Sequence, residues 1–97
     1  MQFSFSINGV PIRLTSERWK HISFRHPELK GKKRDILNAI ASPSLVQKGD
    51  MGTLLAVKKT NGKYLVVVYK ELSETDGFVI TAYYTKVLRR RIVLWKR

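Results

Sequence analysis

The chain has 97 residues, no cysteine and a formal charge of +12, from 19 Lys and Arg against 7 Asp and Glu. That length fits one small domain spanning 1–97, and a hydrophobic share of 43% argues against wholesale disorder. Without cysteine there is neither a disulfide framework nor a thiolate zinc site. No apolar run approaches the roughly 20 residues that span a membrane. The stretch Met1-Gln2-Phe3-Ser4-Phe5-Ser6 also lacks the basic-then-apolar order of a signal peptide, so a soluble, cytoplasmic domain is expected.

In chain order, Phe3, Phe5 and Ile7 alternate with polar residues, the period of a half-buried strand. Asn8-Gly9 reads as a hairpin turn. Val10 to Leu14 returns as a short strand, with Pro11 marking an edge. Thr15 or Ser16 caps a helix from about Glu17 to Arg25, which Pro27 closes by disfavouring helical geometry at His26. A second helix, about Lys32 to Ala41, carries the stripe Ile36, Leu37, Ile40 and ends before Pro43.

Beyond that point the pattern is a β-meander. Strands are expected over Ser44 to Lys48, Thr53 to Lys59, Lys63 to Glu71 and Phe78 to about Lys86, with Asn61-Gly62 as the strongest hairpin signal. Leu65 to Tyr69 is continuously apolar, as in a central strand covered on both faces. Ser73 to Gly77 reads as a polar loop, and the basic segment 87–97 as a helix, a strand or an arm. The expected fold is α+β: two N-terminal helices packed on an antiparallel sheet of about four strands.

The charge is clustered. Residues 13–34 hold eight basic side chains against Glu17 and Glu28, and residues 86–97 hold six with no acid. A solvated surface explains such clusters blandly, but a polyanionic partner, above all nucleic acid, explains them better. No strongly amphipathic helix favours a membrane surface. Both histidines fall in His21-Ile22-Ser23-Phe24-Arg25-His26-Pro27. Helical spacing sets Trp19, Ile22 and His26 toward the sheet, with Arg18, His21 and Arg25 on an adjoining face. An imidazole moves protons near neutral pH, and a guanidinium holds phosphate charge. His26 before a proline is equally a helix-terminal hydrogen-bonder. Two histidines five apart, with scattered acids, do not make a metal site.

On the last meander strand, alternation sets Thr81, Tyr83 and Thr85 on one face, and Ile80, Ala82, Tyr84 and Lys86 on the other. The hydroxyl row can bind phosphate oxygens and Tyr83 can stack on a base or donate a proton; Thr and Tyr are also simply good strand formers. Lys86 and the run Arg89-Arg90-Arg91 extend this row as a phosphate-holding edge. Nucleotide-binding glycine loops, Gly-x-Ser-x-Gly elbows and a carboxylate pair for glycoside chemistry are missing.

The motif Leu14-Thr15-x-x-Arg18-x-x-His21-Ile22-x-x-Arg25-His26-Pro27-Glu28-Leu29 resembles the first helix of phage-associated nuclease domains in the barnase–EndoU–colicin–RelE superfamily. Leu65-Val66-Val67-Val68 and Val79-Ile80-Thr81-Ala82-Tyr83 look like its later strands, and helices followed by a meander look like BrnT- and RelE-type toxins. The resemblance covers about residues 12–91. It implies a compact RNase needing neither metal nor cofactor, with His21, Arg25, His26, Thr81 and Tyr83 at the scissile phosphate. BrnT-like relatives carry an arginine near the position of Tyr83, so Arg25, Lys86 or Arg90 would supply that cation here. Many members are toxins held by an antitoxin, and an acidic antitoxin would suit the +12 charge.

The expected function is therefore an endoribonuclease in which a histidine withdraws the RNA 2′-hydroxyl proton, leaving a 2′,3′-cyclic phosphate. Arg18, Thr85, Lys86, Arg89 and Arg90 would bind RNA. The alternatives are a non-catalytic nucleic-acid-binding module and a basic surface that docks an acidic protein.

Overall fold

A computed structural model describes residues 2–97; Met1, where the leaderless reading begins, lies outside the described residues. Seven strands and two helices follow one another as β1 (Gln2–Phe5), β2 (Pro11–Leu14), α1 (Ser16–Arg25), α2 (Lys33–Ala41), β3 (Leu45–Lys48), β4 (Leu54–Lys59), β5 (Tyr64–Ser73), β6 (Asp76–Thr85) and β7 (Val93–Lys96). All seven strands join one sheet in the order β1-β2-β6-β5-β4-β3-β7. Both helices pack on one side of it. Among the described residues no helix is long and apolar enough to cross a membrane.

The expectation of about four strands is corrected by three additions. The β1–β2 hairpin, read as a separate unit, docks on β6 through β2, and the pairing is parallel. The basic segment ends as a strand, β7, antiparallel to β3. Nor do the helices precede the sheet, because β1 and β2 come first. Pro11 does not mark an edge either. It is the first residue of β2, and β6 pairs only from Ile12 onward, so the missing N–H costs no bond on that side. The expected loop at 73–77 shrinks to Glu74-Thr75, with β5 and β6 paired as far as Ser73 and Asp76.

Local chemistry accounts for the elements. Thr15 caps α1, its hydroxyl accepting from the Arg18 N–H at 3.1 Å. Asn8-Gly9 turns with Gly9 at φ 77°, and the loop is pinned across the sheet: the Ser6 hydroxyl donates to Glu71 at 2.6 Å and the Asn8 amide reaches the same carboxylate. Ile22 of α1, Leu29, and Ile36, Ala39 and Ile40 of α2 are buried against Ile12, Leu14, Leu65, Val67, Tyr69 and Ala82. Trp19 packs on this core and carries Lys33 of α2 over its ring at 5.7 Å.

The other face of the sheet has a smaller core. Leu55, Val57 and Val66 are buried there under Leu88. Leu88 belongs to a strap, residues 86–92, that crosses this face from the end of β6 to β3. The strap is tied down where Lys48 N–H donates to the Ile92 carbonyl (2.8 Å) and where buried Gln47 donates its amide to the Arg89 carbonyl (3.3 Å).

β6 fits between β2 and β5 only because residue 77 has no side chain. A Cβ there would lie 2.6 Å from both the Ile12 Cδ1 and the Lys70 carbonyl oxygen. Gly77→Ala is expected to cost about 1–3 kcal/mol, read as a lower urea midpoint with an unchanged slope. On the strand beside it, Arg13 grips Asp76 with two bonds of 2.8 and 3.1 Å. That hydrogen-bonded guanidinium holds the Asp76 carboxyl below its ordinary value. The contribution is therefore present above the ordinary carboxylate value and disappears as pH falls through the lowered one. The stability difference between the native chain and Asp76→Asn should close between about pH 5 and pH 2, measured by urea unfolding.

Candidate nucleic-acid interface

The site is positioned by where β2 stops. Only Ile12 and Arg13 pair with β6, at Gly77 and Phe78. Past Leu14 the chain leaves the sheet, and α1 packs against β6 instead. Its last turn therefore arrives beside the second half of that strand. His26, the C-cap residue, sits with its ring centroid 6.3 Å from that of Tyr83. One helix residue and one strand residue, 57 positions apart, share a rim.

Tyr83 lies on the face away from the helices. Register fixes this: Thr81, Tyr83 and Thr85 pair with Val68, Val66 and Tyr64, and Val66 and Val68 belong to the outer core. Ala82, between them, is buried on the helix side, and Tyr84 packs there with Lys63 over its ring at 4.1 Å. Burial, with the carboxylates of Asp35 and Glu28 behind it, pushes the Tyr84 phenol up. Thr81 is half-buried on the outer face. Thr85 closes the strand end, its hydroxyl donating to the Val87 carbonyl at 2.9 Å.

The remaining candidates divide into three groups. His26 is half-buried, with Nδ1 3.8 Å from the Glu28 carboxylate. His21 lies about one and a half turns back along α1, lining a shallow depression with Thr15, Glu17 and Arg18. Because Trp19 faces α2, helical spacing puts Arg18, His21 and Arg25 on the opposite flank, and Arg25 is exposed. Lys86, Arg89 and Arg90 are exposed on or before the strap. Arg91, with only 18% of its side chain exposed, approaches Asp50 at 3.6 Å.

Under the strap is a small cavity of about 90 Å³, lined by Gln47, Val66, Tyr83, Thr85, Leu88 and Arg91 among others. It has room for a few waters and not for a nucleotide. Gln47 and the outer half of the sheet carry no signal in the sequence motifs, because their role follows from strand pairing alone. Among the described residues no group of three or more His, Asp or Glu converges in a way that could hold a metal ion.

No protein-family model, no curated protein and no solved structure matches this chain. If His26 and Tyr83 form one anion-binding rim, a uridine 3′-phosphate titration followed by NMR should shift the ring protons of both together. Shifts confined to His21 would put the anion in the α1 depression instead.

Proposed function

We propose that the chain is a metal-independent endoribonuclease acting at the rim between α1 and β6. The observation that carries the reading is the approach of His26 to Tyr83, an acid–base pair on an open, basic surface. His26 Nε2 takes the proton of an RNA 2′-hydroxyl as its oxygen attacks phosphorus. The bond from phosphorus to the 5′-oxygen breaks, and the Tyr83 phenol returns a proton to that leaving oxygen. The products are a 2′,3′-cyclic phosphate and a 5′-hydroxyl. Charge on the phosphorane is met by Arg25 from the helix flank or by Lys86 or Arg90 from the strap side. Thr81, Thr85, Arg18 and Arg89 hold neighbouring phosphates, and His21 backs the helix flank.

The likeness of the α1 motif to phage-associated nucleases and RelE- and BrnT-type toxins supports the same chemistry. It also suggests a setting, a cytoplasmic toxin neutralised by an acidic antitoxin, that the +12 charge would favour. Purified protein should cleave RNA in EDTA and leave cyclic phosphate ends. His26→Ala and Tyr83→Phe should each slow cleavage by about a hundredfold or more. Activity that vanishes with the chelator, or persists in a His21→Ala/His26→Ala double variant, overturns the mechanism.

A further inference from the structure

The outer face of the sheet is only half covered. The strap lies over β5, β4, β3 and the end of β6 at Tyr83 and Thr85, while β1, β2 and the first half of β6 are bare. Strand pairing brings a row of aromatic rings onto this bare half. Phe3 is opposite Arg13, and Arg13 is beside Phe78. Phe78 in turn is opposite Lys70, two residues along β5 from Val68, which is opposite Thr81. The row runs Phe5, Phe3, Phe78, Thr81, Tyr83 and ends at the His26 rim.

Phe3 and Phe5 are 53% and 56% exposed, and their rings meet edge to face with centroids 5.3 Å apart. Such a pair forms a floor and a wall against which a flat ring can rest. Two strand spacings and about four residues of rise separate Phe3 from Tyr83, on the order of 16 Å. A few nucleotides of single strand cover that distance.

We propose that this bare half binds the bases of single-stranded RNA, with Phe3 and Phe5 as stacking residues for nucleotides a few positions from the scissile phosphate. The proposal rests on the ribonuclease reading for the nature of the polyanion, and it adds that the substrate is unpaired. Aromatic planes beside cations match bases beside phosphates, whichever base is present. The Arg13–Asp76 pair is neutral as a unit, so Lys70 and the basic strap supply the net positive charge. A protein partner fits less well. Two half-exposed phenylalanines offer on the order of 200 Å² of apolar surface, against the roughly 1,000 Å² that a specific protein interface buries.

The test is fluorescence anisotropy with a labelled 2′-O-methyl single strand of about 12 nucleotides, which binds without being cleaved. Phe3→Ala/Phe5→Ala should weaken binding about five- to fiftyfold, and Phe3→Tyr/Phe5→Tyr should restore it, which separates stacking from misfolding. A duplex of the same sequence, its base faces hidden, should lose little between the native chain and the alanine variant. Unchanged single-strand affinity, or an equal loss for duplex, overturns the proposal. So does a change confined to self-association or to capture of an acidic protein. Cleavage of unmodified RNA is scored on the native chain alone: failure there removes the ribonuclease reading and leaves the stacking comparison standing.

Discussion

The arrangement of this molecule depends on the shortness of one strand contact. β2 pairs with β6 over two residues and then ends at Leu14. Had β2 continued, it would have lined the edge of β6 to its end. Because it stops, α1 comes to rest against the unpaired second half of β6. The apolar side of α1, Ile22 with Trp19, still drives the packing. The polar flank and the C-terminal histidine are left at the sheet's edge. Burial of one helix face thus brings the His26 ring to within 6.3 Å of that of Tyr83.

A second irregularity decides what surrounds that meeting point. Between Val68 and Tyr69 the β5–β6 register slips by one residue, and Ile80 is the extra residue on β6. Side chains on a strand alternate strictly, so without the slip Phe78 and Thr81 would point to opposite faces. The bulge puts both on the outer face, and it lets Val79 and Ala82 both stay buried under the helices. Apolar demand on the inner face therefore sets which aromatic and hydroxyl side chains share the outer face.

The elements themselves were largely legible. The end of α1 before Pro27, the Asn61-Gly62 hairpin and the faces of Thr81, Tyr83 and Ala82 all follow from local chemistry and are found, and of the two candidate caps, Thr15 and Ser16, Thr15 is the one used. Strand number was not legible, and the reason is physical. A four-residue strand such as Val93–Lys96 carries too little periodicity to reveal a partner, and partners about 50 or more residues away, as in β3–β7 and β2–β6, leave no mark on spacing. The parallel β2–β6 contact is the extreme case, since a hairpin normally predicts only its own antiparallel ladder. Alternation also fails where a bulge intervenes, which hid Phe78. Of the candidate site, the residue types and their local faces could be read, and their convergence could not. His26 and Tyr83 come together through tertiary packing, while His21 and Arg25, their neighbours in sequence, stay on the helix flank.

Four of the seven acids have defined structural partners: Asp76 holds Arg13, Asp50 faces Arg91, Glu28 faces His26, and Glu71 ties down the Ser6–Asn8 loop. These pairs fix loops and strand ends locally and leave most of the 19 cations without compensation. An excess of that size works against the compact state through self-repulsion, and the penalty is greatest where cations are crowded, on the strap and along α1. A polyanion laid along the rim removes the repulsion and ties the two segments together. By linkage, whatever binds only the folded chain also stabilises it. Under the proposed ribonuclease function, the same unpaired charge that strains the free protein would attract a phosphate backbone to the edge where the His26 and Tyr83 rings lie 6.3 Å apart.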